Sequence, residues 1–378
     1  MAFVRRGRAS LPGMSDQSPL RILVLYTELA PYVLAGLERA VRDHGVKVDV
    51  VRWPVNSEAP FKISVSEGIT LHERRTLSTA DLIALADRVQ PDLTLCTGWI
   101  DKGYLRVCRH LRGRGQRVVM CSDTAWRGDL RQWVAALVAR FSFGRLFSHA
   151  WVTGDRQRTY ALRLGFAPDR VRTGFYAADT SLFLPIGERL LRSRTDAWPH
   201  RFLCVARYIP AKCHQLLCDA FAELCTNGRA GDWELWCVGT GELFEQVSTS
   251  VSGSHPRIKH MGFKQASEME TILDQSGVFV LASNYEPWGV VVQEHACAAL
   301  PMVLSDQVRA SERFLEPGRN GVIFKADDMT ALMNALRSII TMTDGQLREM
   351  GKCSNELGSA WGPSEWATTL VQLALERP

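Results

Sequence analysis

Short runs of apolar and β-branched residues alternate with longer amphipathic stretches from residue 21 onward: RILVLYT, then APYVLAGLERAVRDHG, then VKVDVVRW. A buried strand needs only about four to eight such residues, whereas a helix repeats its apolar positions three and four apart over a longer window. The alternation therefore predicts βαβα order and a parallel sheet with helices on both faces. It continues through DLIALADRVQ, PDLTLCTGW, GYLRVCRHLRGRG, QRVVMCSD, an amphipathic stretch near 129–142 and HAWVTG, so a first sheet is expected to be complete by residue 174. Residues 173–200 carry no strand pattern and hold Pro185, Gly187 and Pro199, which mark them as a linker.

A second series follows: RFLCVARY, CHQLLCDAFAELCTNG, WELWCVGTG, IKHMGF, helical material around 267–276, GVFVLAS, PMVL and GVIFK. It ends in DMTALMNALRSIITM, whose apolar residues at 332, 333, 336, 339 and 340 share a helix face. The expectation is an α/β protein of two Rossmann-like doubly wound domains facing each other across a cleft, over 19–185 and 186–378. The last helix is a candidate to pack back on the first domain. Residues 1–18, with Arg5, Arg6 and Arg8, are expected to form a disordered arm. Ligands of such sheets bind beyond the carboxyl ends of the strands, so the loops there are where chemistry is sought.

Composition narrows the class. The ten cysteines form no C-x-x-C pair and lie mostly in apolar runs, the pattern of reduced thiols in a cytoplasmic protein. No run of apolar residues is long enough to span a bilayer. Residues 1–185 hold 27 Lys+Arg against 17 Asp+Glu, and residues 186–378 hold 18 against 23, so the halves carry +10 and −5. The basic half points to an acidic partner, either nucleic acid or an anionic membrane surface, with a solvated face as the alternative. Its aromatic residues follow no RNA-binding pattern, so nucleic acid is not expected. The stretch from Asp129 to Phe147 sets Trp133, Leu137, Phe141 and Phe143 among Arg131, Arg140 and Arg145. It reads either as a surface lying on the inner face of a membrane or as a core helix that snorkels its arginines.

The most informative passage is VFVLASNYEPWGVVVQEHACAALPMVLSD. A strand at 278–283 leads into a loop ending at Glu286-Pro287-Trp288-Gly289, and the following helix is terminated by Pro301. Gly289 and Val290 then stand at a helix start, where unpaired N–H groups and the positive end of the dipole favour an anion such as a diphosphate. Glu286 precedes that terminus and Glu294 lies about one turn inside it, so both carboxylates can face one cleft. A carboxylate suits adjacent hydroxyls on a ribose or a hexose.

Here the chain resembles the family 4 glycosyltransferases of the GT-B fold, in glycosyl transferases group 1, retaining enzymes whose E-x7-E motif matches Glu286 and Glu294. The resemblance implies that Glu294 holds the nucleotide ribose, that Glu286 holds donor-sugar hydroxyls, and that the amides of Trp288, Gly289, Val290 and Val291 cradle sugar and diphosphate. In RFLCVARYIPAKCHQLLCDAF, Arg207 and Lys212 match the family's G-R-L-x-x-x-K-G segment, whose cations neutralise the diphosphate. Two fixed cations can stabilise the charge on a departing nucleoside diphosphate. VGTGEL resembles the G-x-G-P turn, which makes Gly239 and Gly241 phosphate-approach candidates; a tight turn is the equal alternative. HMGFKQASEME resembles the loop that meets the base, with Phe263 and Lys264 as candidates.

The resemblance covers residues 200–340 well and the N-terminal half in outline. The family's Gly-Gly loop reads YTELAPYVLAG here, and Gly36 lies too deep in the helix to substitute. The His that many members place after the strand matching QRVVMC is replaced by Ser122-Asp123-Thr124. Asp123 is a candidate contact to donor or acceptor hydroxyls, or a helix cap. With no D-x-D in the sequence, a metal-independent enzyme is expected, with no cofactor beyond a UDP- or GDP-sugar as co-substrate. The expected activity is transfer to a hydroxyl of a glycan or lipid-linked acceptor in cell-surface polysaccharide biosynthesis. The rivals are a sugar-nucleotide epimerase or hydrolase of the same fold and a non-catalytic glycan-binding partner.

Overall fold

The computed structural model describes residues 18–56, 58 and 60–376. The arm expected at 1–18 lies outside these apart from Ser18. The first sheet holds seven strands, β1 (Arg21–Tyr26), β2 (Lys47–Arg52), β3 (Ile69–Glu73), β4 (Leu93–Thr97), β5 (Arg117–Ser122), β6 (His149–Val152) and β7 (Val171–Arg172), in the order 3-2-1-4-5-6-7. The second holds six, β8 (Arg201–Val205), β9 (Glu234–Val238), β10 (Ile258–His260), β11 (Val278–Leu281), β12 (Met302–Ser305) and β13 (Gly321–Phe324), in the order 10-9-8-11-12-13. Every pairing is parallel. The central strands are buried over nearly their whole length because helices cover both faces, and each sheet has one core above it and one below. Each sheet reverses its strand order once, between β1 and β4 and between β8 and β11. The crevices beyond the strand ends at those points face each other across one cleft.

The stretch expected to link the domains, 173–200, contains helix Thr180–Ser193, inside which the expected boundary at 185/186 falls. Asp179 caps it by accepting from Ser181 N–H at 3.1 Å. Pro185 sits inside the helix, and Gly187 is a packing device: a Cβ there would lie 2.0 Å from the Cys297 carbonyl oxygen. Helix Pro363–Leu375 returns to the first domain. Trp366 stacks on Trp151 at 4.8 Å, donates to the Phe175 carbonyl at 2.6 Å, and covers Gly36, where a Cβ would meet its ring at 2.8 Å.

Helix Leu130–Ser142 buries only Gln132, Ala136 and Ala139. Leu130 is 78% exposed, Leu137 63% and Phe141 79%, so the core-helix alternative does not hold. All ten cysteines are free. No helix among the described residues is long and apolar enough to cross a membrane.

Candidate active site

The cleft between the domains has a cavity volume of about 590 Å³. On its C-terminal wall, β11 ends and the chain turns through Glu286 to Gly289, which has φ +94°. Glycine is required there twice over, by the left-handed backbone and by a Cβ position 3.0 Å from the Glu286 side chain. Helix Val290–Cys297 then starts with no side-chain cap. The N–H groups of Gly289, Val290 and Val291 donate to no acceptor among the described residues, which leaves an anion site at the helix terminus.

Arg207 and Lys212 line the same cleft from the loop after β8. Lys212 closes a short turn, Pro210–Lys212, and Cys213 behind it takes the left-handed conformation at φ +54° to start the next helix. The Asn284 N–H donates to the Ala211 carbonyl at 3.0 Å and ties this loop to that of Glu286. Lys212 forms an ion pair with Glu286, both side chains being nearly buried. Arg207 reaches across the cleft to Glu58 at 3.4 Å. Gly239 lines the cleft where β9 ends, and its missing Cβ lets the backbone approach Ala206, whose carbonyl oxygen would lie 2.0 Å from such an atom. Gly241 lies outside the cleft lining. It packs its φ +154° backbone against Tyr208, the close approach that a tight turn there requires.

Glu294 faces the cleft one turn into the helix. Burial, and then the nearby Asp179, push its carboxyl up to about 7. Beside it His295 donates from Nδ1–H to the Val291 carbonyl at 2.7 Å and stacks on Phe279, and burial holds its pKa down at about 4. Phe263 and Lys264 line the cleft, and Phe61 of the first domain packs edge-on against Phe263 at 5.4 Å. Trp288 lines the cleft. Its side chain is buried against Gly154, where a Cβ would lie 2.5 Å from the ring.

On the opposite wall Asp123 follows β5, with the Tyr176 hydroxyl 3.4 Å from its carboxylate. Burial raises its pKa, and the Glu286 and Glu28 carboxylates raise it further. Asp123 is not a helix cap: the cap of Leu130–Ser142 is Asp129, which accepts from Gln132 N–H at 2.9 Å.

Sequence reasoning missed Gln157, Glu28 and Glu58. Gln157 is 1% exposed, and its amide nitrogen donates to the Asp123 carbonyl at 3.1 Å and to the Pro287 carbonyl at 2.5 Å, clamping the two walls together. No spacing rule flags a lone glutamine. Glu28 and Glu58 lie in the stretches that replace or follow the absent glycine pair, and only the fold brings them to the cleft.

Residues 199–342 match the family described as Glycosyl transferases group 1. Over 121 residues the chain is 30% identical to a glycogen synthase of Mycobacterium tuberculosis, 32% of this chain and 29% of that protein, so the match spans under a third of the curated relative. Anabaena HepE in complex with UDP superposes with a TM-score of 0.69 at 17% identity, over 93% of this chain and 99% of that one. A sucrose-phosphate synthase of Thermosynechococcus elongatus superposes with a TM-score of 0.71 at 18% identity, over 93% and 98%. The fold is GT-B.

Proposed function

We propose that this chain is a retaining, metal-independent glycosyltransferase of family 4 that moves a sugar from a UDP- or GDP-sugar to a hydroxyl of a glycan or lipid-linked acceptor, in cell-surface polysaccharide assembly. One observation carries the reading: the uncapped terminus at Gly289–Val291, Lys212 and Arg207 line one cleft together with Glu286 and Glu294. A diphosphate bound there meets two cations and a set of free N–H groups, the arrangement that stabilises a departing nucleoside diphosphate. Glu294 accepts ribose hydroxyls, Glu286 orients the sugar, and the acceptor enters from the wall of Asp123. The matched family segment and the HepE–UDP complex support the donor half.

Calorimetric titration with UDP-glucose and GDP-sugars is the test. Ribose hydroxyls donate best to an ionised Glu294, whose pKa in the empty cleft is about 7 against an ordinary 4.5. Affinity should therefore rise by roughly tenfold from about pH 6 to pH 8, and the Glu294→Gln profile should be flat. The same raised pKa makes the ligand-free protein lose stability as pH climbs from the ordinary carboxylate range through 7. Failure of every sugar nucleotide to bind overturns the reading.

The expected contact with the inner membrane face is assigned to helix Leu130–Ser142. Its outward face carries Leu130, Trp133, Leu137 and Phe141 beside Arg131 and Arg140, an apolar stripe with a cationic rim. The helix starts beside the cleft mouth, where the Arg127 guanidinium lies 5.1 Å from the Tyr285 ring. The protein is expected to sediment with phosphatidylglycerol vesicles, to release at high salt, and to stay in solution as the Leu137→Glu/Phe141→Glu variant. Equal partition of protein and variant would sink the assignment.

A further inference from the structure

The two walls of the cleft differ in charge in a way that opposes the charge of their halves. Residues 1–185 carry +10, yet the cleft-lining residues they contribute include Glu28, Glu58 and Asp123 and, among the described residues, no lysine, arginine or histidine. All of the lining cations, Arg207, Lys212 and Lys264, stand on the other wall. The basic surplus of the first half lies elsewhere on its surface.

Of the three carboxylates, Glu58 is paired with Arg207. Glu28 accepts from the Asn56 amide at 3.2 Å, a neutral donor. Asp123 has the Tyr176 hydroxyl at 3.4 Å and the carboxylates of Glu286 and Glu28 close enough to repel it. Two acceptor groups therefore face the space opposite the diphosphate site with neutral partners only. Around them lie hydroxyls of Thr27, Thr97 and Thr124 and the rings of Tyr32 and Tyr176, packed edge-on at 5.3 Å. A ligand phosphate or carboxylate brought here would meet two like charges in a half-enclosed cleft of low effective dielectric, with no cation contributed by that wall itself. A hydroxyl or an ammonium group would complete what the wall lacks.

We infer that the subsite on the Glu28–Asp123 wall takes a glycosyl unit that donates hydrogen bonds and bears no anionic group, and that it rejects phosphorylated or carboxylated sugars. The inference rests on the transferase reading, since it assigns this wall to the acceptor. Neutral and amine-bearing sugars share the required chemistry, and phosphorylated sugars are the excluded class. The selectivity comes from charge alone, because the same threonine hydroxyls and tyrosine rings would otherwise suit any hexose.

The experiment uses the full chain saturated with UDP-glucose, or with whichever sugar nucleotide binds. Saturation-transfer NMR reads the binding of methyl glucoside, glucosamine and glucose 6-phosphate. Methyl glucoside or glucosamine is expected to bind at least about tenfold more tightly than glucose 6-phosphate. The Glu28→Gln/Asp123→Asn variant should narrow that ratio by improving phosphate-bearing ligands, a gain that loss of packing would not produce. Equal or preferred binding of glucose 6-phosphate, or no binding of either non-anionic sugar, overturns the inference. Absence of sugar-nucleotide binding in the preceding step marks failure of the transferase reading itself.

Discussion

Lys212→Ala is expected to lower kcat by about a hundredfold or more while costing the fold about 3 kcal/mol. Both effects come from one contact. The Lys212 ammonium and the Glu286 carboxylate hold each other at 14% and 11% side-chain exposure. Removing the cation leaves a nearly buried carboxylate without a partner. It also removes the positive charge from the place proposed for the leaving diphosphate, an effect that grows from ground state to transition state and so appears in kcat. The double variant Lys212→Met/Glu286→Gln separates the two consequences, because it removes both charges at similar volume. It should regain most of the thermal stability and none of the turnover. Steady-state transfer kinetics and thermal unfolding of the three proteins give the answer, and a Lys212→Ala enzyme within about threefold of the parent kcat would remove Lys212 from the proposed mechanism.

The C-terminal wall of the cleft was legible because its signals are local. A strand, a glycine-containing turn and an uncapped helix occupy consecutive residues around Glu286 and Glu294, and the strand before Arg207 is an unbroken apolar run. The periodicities also told strands from helices along most of the chain. Helix Thr180–Ser193 escaped because Pro185 and Gly187 read as breakers, whereas Gly187 answers to the Cys297 carbonyl more than a hundred residues away. Gly241 was open to two readings for a related reason: a glycine after a strand signals close backbone approach without saying to what, and here a neighbour is Tyr208. Charge summed over a half-chain was the poorest guide. Ten surplus positive charges say nothing about which face bears them, and the cleft wall of that half is acidic.

Gln157→Leu is the second large effect expected, and it concerns a residue with no motif. Gln157 stands in the first turn of helix Asp155–Arg163, and its amide nitrogen serves two carbonyls from opposite walls. One belongs to Asp123 itself and the other to Pro287, next to Glu286. Leucine fills the volume but donates nothing, so two part-buried carbonyls lose their donor at a cost of about 1–3 kcal/mol each if neither finds another. The functional loss should exceed what that stability change implies. With the clamp gone, Asp123 and Glu286 are no longer held at a fixed separation, and a misplacement of about 1 Å between reacting groups can cost on the order of a hundredfold in rate. The proposed donor site, Arg207, Lys212 and the terminus at Gly289, lies within one domain and does not depend on the clamp. Gln157→Leu is therefore expected to bind sugar nucleotide within about threefold of the parent while transfer falls at least thirtyfold, a split between binding and turnover that a general loss of folding would not give. Calorimetry and initial rates on the same preparation decide it. Parallel losses in binding and transfer would show that Gln157 only stabilises the fold, and full transfer would show that the walls are held together by their other contacts.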